Sequence, residues 1–193
     1  MQPRSDEELM LSVKQGRLHS LGELFERHHV KLFNYFLKFC GNRHWSEDMV
    51  QNTFLKMLKY ASSYRDTGAC LAWIFNIARN VGVDYLQAEQ NRSHVNDMDP
   101  DTIDDPYSDP EYLEEMKQGE KQLQQALLQL TPEKRQLVLL SKLQQISMVD
   151  LAAMYECTPG TVKVRLHRAL KELRECYSVV PALMQPGSGG VIE

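Results

Sequence analysis

The stretch TPGTVKVRLHRALKELRE, residues 158–175, holds five Lys/Arg against two Glu, with one His. Val162, Leu166, Ala169, Leu170 and Leu173 recur at helical spacing and make one packing face, which leaves Lys163, Val164, His167, Arg168 and Lys171 on other faces. Cationic side chains in this pattern neutralise phosphates, and a guanidinium such as that of Arg168 can also read a guanine edge in a duplex major groove. The N-terminus of such a helix adds partial positive charge and free N–H groups that suit a phosphate. Catalysis by the chain alone is not expected, because no P-loop, Rossmann fingerprint, HExxH or nucleophile elbow occurs. Nor is a metal or other cofactor expected. Cys40, Cys70, Cys157 and Cys176 form no CxxC pair, and only Cys40 and His44 come near ligand spacing, so reduced, buried or half-buried thiols are the reading.

A phosphate-binding helix would be out of place in a uniformly acidic protein, but the formal charge of −4 is unevenly distributed. Residues 94–120 carry ten acidic residues and one lysine, a net of −9, so the rest of the chain is +5. Such asymmetry points to a polyanion partner. The 193 residues, 42% hydrophobic and 25% charged, suit one domain or two small ones of a soluble protein. No apolar run approaches the roughly 20 residues that span a bilayer. The N-terminus, MQPRSDEELM, is not a secretory signal, which makes the expected location the cytoplasm.

The elements that must position the basic face are all helical. Ser5 and Glu8 have capping-box spacing and open a short helix ending near Gly16. Ser20 is expected to begin a longer one, with Leu21, Leu24, Phe25, His28, Leu32, Phe36 and Cys40 on one face and Gly41 as its left-handed cap. His28 reads as a core or interface histidine, and His29 has no partner suggesting catalysis. Ser46 is expected to cap a third helix with Val50, Phe54, Met57, Leu58 and Ala61 inward. After the loop SSYRDTGAC, a fourth runs from about Leu71 to Gln90 on a stripe of Leu71, Ile74, Ala78, Val81 and Tyr85. Residues 93–112, with three prolines and many Asp, read as an acidic flexible linker. A second helical unit covers 113–177. Thr131-Pro132 starts one of its helices, Ser147 and Asp150 open a short one through Tyr155, and Thr158 caps the last. Two short helices with a tight turn, the second basic, form a helix-turn-helix pattern. Residues 178–193 read as a mobile tail. The expected fold class is therefore all-α, with two small helical domains, 1–92 and 113–177.

LTPEKRQLVLLSKLQQISMVDLAAMYECTPGTVKVRLHRALKELRE resembles the C-terminal promoter-binding domain of bacterial RNA polymerase sigma factors of the sigma-70 family, extracytoplasmic-function type. SEDMVQNTFLKML resembles the polymerase-binding helix of that group, and AWIFNIARNVGVDYLQAEQNR its promoter-melting helix. The resemblance spans about residues 20–92 and 121–176, in the family's order and spacing.

What it implies is a transcription initiation factor that binds core RNA polymerase and promoter DNA, as duplex at the −35 element and as a single strand at the −10 element. Asp48, Gln51, Asn52 and Leu55 would meet the polymerase. Tyr64, Arg65, Trp73, Asn76, Arg79 and Asn80 would hold flipped −10 bases. Gly160, Thr161, Lys163, Val164, Arg165, His167 and Arg168 would meet the −35 element, with Val164 able to pack on a thymine methyl. The resemblance also implies a membrane-anchored anti-sigma factor that could hold the chain at the inner membrane. The chain itself would not insert, and would be monomeric when free of partners. Two alternatives stay open: a sigma mimic that titrates an anti-sigma factor without touching DNA, and a plain helix-turn-helix regulator.

Overall fold

The computed structural model of the chain describes residues 4–95 and 117–183, with side chains to residue 88 in the first stretch and to residue 179 in the second. Among these residues there are eight α-helices and no strand. The first four helices form one unit. α1 (Asp6–Lys14) begins at the expected capping box: Glu8 N–H donates to Ser5 Oγ at 3.2 Å, and Ser5 N–H donates to the Glu8 carboxylate at 2.8 Å. α2 (His19–Cys40) turns into α3 (Arg43–Lys59) at Gly41, whose φ of +71° is cheap only without a Cβ. A 3-10 turn at Ala61–Ser63 and a loop lead to α4 (Cys70–Val95).

Leu24, Leu32, Tyr35, Phe36, Met49, Met57, Ile74 and Phe75 are fully buried between these helices. The Tyr35 ring stands edge-on to Phe36 and Phe75, at 5.1 and 5.5 Å between centroids. Such pairs add about 0.5–1.5 kcal/mol each beyond area burial. His28 lies on this face at 4% exposure, as a core histidine.

The second unit comprises α5 (Gln118–Gln129), α6 (Pro132–Val138), α7 (Met148–Met154) and α8 (Pro159–Leu183). α6 starts on Thr131 with proline in its first turn, where a missing N–H costs nothing. It runs into one wider π turn, Leu139–Leu143, which the backbone leaves through Gln145 at φ +55°. Ser147 Oγ accepts from Asp150 N–H at 3.1 Å at the head of α7, and Thr158 Oγ1 accepts from Thr161 N–H at 3.2 Å at the head of α8. Glu156, at φ +48°, makes the turn between α7 and α8.

Several local expectations are corrected. Ser20 does not cap α2. It is buried inside the helix, which begins at His19 without a side-chain cap. Ser46 does not cap α3 either. Asn42 does, its Oδ1 accepting from Trp45 N–H at 3.0 Å, while Ser46 Oγ donates back to Asn42 O at 2.6 Å. Leu58 points outward at 40% exposure. The fourth helix continues past Gln90 to Val95, and the last continues into the expected tail as far as Leu183. Most of the expected linker, from residue 96, lies outside the described residues.

The two units are docked through buried polar side chains. Gln124 Nε2 donates to Leu37 O and Lys38 O at 3.4 and 3.3 Å. Arg135 donates to Leu127 O, Leu128 O and Leu130 O in its own unit, and across the junction to Phe39 O at 2.5 Å. Gln136 Nε2 donates to Arg79 O at 2.9 Å. Gln124, Arg135 and Gln136 are all 4% exposed or less. Buried polar groups persist where they are hydrogen-bonded, and three of these acceptors are last-turn carbonyls of α2: Leu37 O also takes the Gly41 N–H at 2.8 Å, while Lys38 O and Phe39 O lie beyond the reach of the helix's own N–H groups. Gly82 of α4 sits at the same junction, where a Cβ would lie 2.8 Å from the Phe39 ring and 3.2 Å from Gln136 Nε2.

Candidate promoter and polymerase surfaces

α8 separates its two roles by face. Val162, Leu166 and Ala169 are buried at 1, 5 and 0% exposure and fix the helix against α5, α6 and α7. Gly160, Lys163, Val164, Arg165, His167 and Arg168 are exposed, and Thr161 is half-buried beside the Thr158 cap. Val164 shows 51% of its surface, an apolar spot among cations. Further along, Lys171 lies 3.8 Å from Glu175 and Lys134 Nζ 2.5 Å from Glu172, so the carboxylates sit toward the far end and leave the first turns cationic.

On α3, Gln51, Asn52 and Leu55 are exposed and Asp48 is half-buried. Leu55 is 63% exposed, Leu58 one turn on is 40% exposed, and Tyr60 at the C-cap is 44% exposed. Leu58 was read inward in the sequence because it also fits the apolar stripe of Phe54 and Met57. His44 stands 3.8 Å from Asp48 one turn earlier.

The third group is divided. Tyr64 is a core residue at 1% exposure, its ring edge-on to Trp73 at 5.2 Å, so this side chain is not presented to a partner. Burial also pushes its phenol well above the ordinary range. Arg65 and Asn80 are exposed, while Trp73, Asn76 and Arg79 are half-buried. Asn76 Oδ1 is an enclosed acceptor without a hydrogen-bond partner. Arg79 donates to Asn80 Oδ1 at 3.2 Å, and its guanidinium lies over the ring of Tyr155 at the end of α7. Burial pushes the Tyr155 phenol up to about 12, with Arg79 pulling the other way.

The second helical unit thus covers part of the α4 face. Gln136 and Tyr155, which form the cover, and Gln124 and Arg135, which meet the end of α2, were not legible in the sequence. Gly82, an isolated glycine inside a helical pattern, was the available signal of a close approach.

Among the described residues, no group of His, Cys, Asp and Glu is placed to hold a metal ion. No described helix is long and apolar enough to cross a membrane. Cys40 and Cys70 are buried, and Cys157 and Cys176 half-buried, all as free thiols.

Residues 24–92 match the Sigma-70 region 2 family model, and residues 120–173 match Sigma-70, region 4. The chain is 27% identical over 170 residues to the RNA polymerase sigma factor CarQ of Myxococcus xanthus, covering 86% of this chain and 94% of that one. It is 29% identical over 152 residues to the ECF RNA polymerase sigma factor SigL of Mycobacterium tuberculosis, covering 78% and 85%. In fold it is similar to the sigma factor RpoE solved with the anti-sigma factor NepR from Bartonella quintana, with a TM-score of 0.64 at 22% identity over 82% of this chain and 96% of that one. With both of its helical units matched in order, the chain belongs to the sigma-70 family of RNA polymerase sigma factors, of the extracytoplasmic-function type.

Proposed function

We propose that this sigma factor docks on core RNA polymerase through the α3 face, directs it to promoters through α8 at the −35 element, and stabilises the melted −10 strand with the loop before α4 and the α4 face. The observation that carries the reading is α8. Of the residues assigned to the −35 element, all but the half-buried Thr161 face solvent, while the apolar residues between them hold the helix in place. Lys163 and Arg165 would meet phosphates, and Arg168 and Val164 base edges. Asp48, Gln51, Asn52 and Leu55, extended by Leu58 and Tyr60, would grip the polymerase.

The −10 step requires the two units to part. With Tyr155 over Arg79 and Gln136 on its carbonyl, a single strand cannot reach that side of α4. On separation, Arg79 becomes available beside Asn80, which is already exposed, and the enclosed Asn76 acceptor would gain a donor from a base edge. Binding of unpaired bases then offsets the few kcal/mol of unstacking and unpairing. Arg65 and Trp73 would contribute from the loop side, with Tyr64 acting only as a buried support.

An anti-sigma factor that holds the docked state is the partner this reading calls for, and the similarity to a sigma factor solved with NepR supports it. The chain would work in the bacterial cytoplasm, brought to the inner membrane only by that partner, and would be a monomer when free. The test is run-off transcription from fragmented genomic DNA with core polymerase and the full chain, the transcripts being sequenced. Promoter-dependent transcripts sharing two spaced elements support the reading. No transcript from any fragment, together with tight anti-sigma binding, favours a sigma mimic.

A further inference from the structure

In the reading above, the loop between α3 and α4 meets unpaired bases, and the present inference rests on that reading. Both ends of this loop are tied to α1, a helix that begins ahead of the matched residues 24–92. Lys14 Nζ, at the end of α1, donates to Tyr64 O at 2.7 Å. At its start, Glu7 accepts from Cys70 N–H at 3.4 Å, and Asp6 O accepts from Cys70 Sγ at 3.5 Å. α1 is itself held firmly, with Leu9, Met10 and Val13 buried at 0, 0 and 2% exposure.

The Lys14 contact has a positional consequence. The peptide between Tyr64 and Arg65 is planar, so the Tyr64 carbonyl and the N–H and Cα of Arg65 turn as one body. Lys14 grips that body by its oxygen, and the buried Tyr64 ring, edge-on to Trp73, anchors its other side. Lys14 thereby fixes the point from which the exposed Arg65 side chain leaves the loop, since the Arg65 Cα belongs to that body. Gly68, at φ +72°, lets the chain turn back towards α4 after it.

We propose that Lys14 is a positioning residue for base selection, aiming Arg65 at the melted −10 strand through the Tyr64–Arg65 peptide. Lys14 contacts no base in this scheme, because its ammonium is engaged with the carbonyl.

The test uses full-length chain in complex with core polymerase and a promoter library randomised across the −10 segment, with transcripts sequenced. Wild type should enrich one −10 sequence over its single-base neighbours. Lys14→Ala should flatten that preference by roughly tenfold, the scale of one charge-assisted hydrogen bond. Lys14→Arg, which keeps a donor of similar reach, should retain most of it. Core polymerase affinity and −35 preference, measured in parallel, should be unchanged in both variants. An unaltered −10 preference in Lys14→Ala overturns the proposal. So does an equal loss of core binding, which would make α1 simply part of the scaffold. A wild-type complex with no −10 preference at all would instead overturn the underlying reading of the loop.

Discussion

The guanidinium of Arg79 lies 4.8 Å from the centroid of the Tyr155 ring, joining the helix assigned to strand separation to the helix-turn-helix. One residue assigned to the −10 strand is thereby engaged in an internal contact. A cation over a tyrosine face is worth about 0.5–2 kcal/mol depending on desolvation, and the Gln136 bond to the Arg79 carbonyl adds to it. Both contacts stabilise the docked arrangement, which the proposed −10 step would have to overcome.

Replacing Tyr155 and Gln136 together by alanine should shift the chain towards separated units. Small-angle scattering should report a larger radius of gyration. Affinity of the polymerase complex for a single-stranded −10 oligonucleotide should rise by roughly tenfold, as about 1.4 kcal/mol less docking energy predicts. An unchanged radius with unchanged affinity would mean that the docked state does not limit strand binding.

Arg168→Ala should weaken binding to −35 duplex by about five- to a hundredfold and relax preference at one base pair. Lys163→Ala should weaken binding evenly across sequences and reduce the salt slope by roughly 0.9. Both should leave polymerase affinity intact, and fluorescence anisotropy at several salt concentrations distinguishes them. Loss of polymerase affinity in either variant would contradict the division of surfaces.

On α3, Leu55 is exposed and holds no part of the core, so Leu55→Asp should change thermal stability by less than about 0.5 kcal/mol. If the α3 face binds the polymerase, the same change should lower core affinity at least severalfold in a competition assay. A variant that competes as well as wild type removes Leu55 from the interface.

Asp6 clasps α1 to α2, accepting from Arg27 Nη1 at 2.9 Å and from His28 Nε2 at 2.6 Å. Burial pushes its carboxyl up, but Arg27 and His28 outweigh that and hold it below the ordinary range. A carboxyl lowered by folding stabilises the folded chain above its unfolded pKa, near about 4, and loses that contribution as pH falls through the lower folded value. Asp6→Asn should flatten this acid limb in thermal melts. Asp6→Ala, which leaves the buried His28 nitrogen unpaired, should cost about 1–3 kcal/mol near neutral pH.

The thiols should divide by environment. Burial pushes Cys70 up to about 12 and raises Cys40 as well, while Cys157 and Cys176 are half-exposed. Iodoacetamide at pH 8 should modify Cys157 and Cys176 in the folded chain and spare the other two until it unfolds, as peptide mass spectrometry would show. Rapid modification of Cys70 would mean that α1 opens readily from the loop.

What the sequence disclosed was local. The Ser5–Glu8 box, the Gly41 cap and the Thr158 cap each depend on residues a few positions apart, and each formed as read. So did the split faces of α8, where one helical period sorts Val162 and Leu166 from Lys163 and Arg168. Asn42 and Ser46 are both good caps, and only the course of the backbone after Gly41 decided between them. Tyr64 looked available because loops are usually exposed, and it is buried because Trp73 and α1 close over it. Gln124, Arg135 and Gln136 were unreadable in principle, since their acceptors lie 86, 96 and 57 residues away, and polar residues normally face water.

Arg135 bears on how the proposed parting of the units would proceed. Among the described residues, it donates to the Leu127, Leu128 and Leu130 carbonyls of its own unit and to the Phe39 carbonyl across the joint. When the units part, its charge keeps three acceptors, and water replaces the fourth. Undocking of the proposed kind would leave the guanidinium hydrogen-bonded within its own unit. A hinge made this way can open and shut many times without wear, as a factor that is seized, released and used again would need.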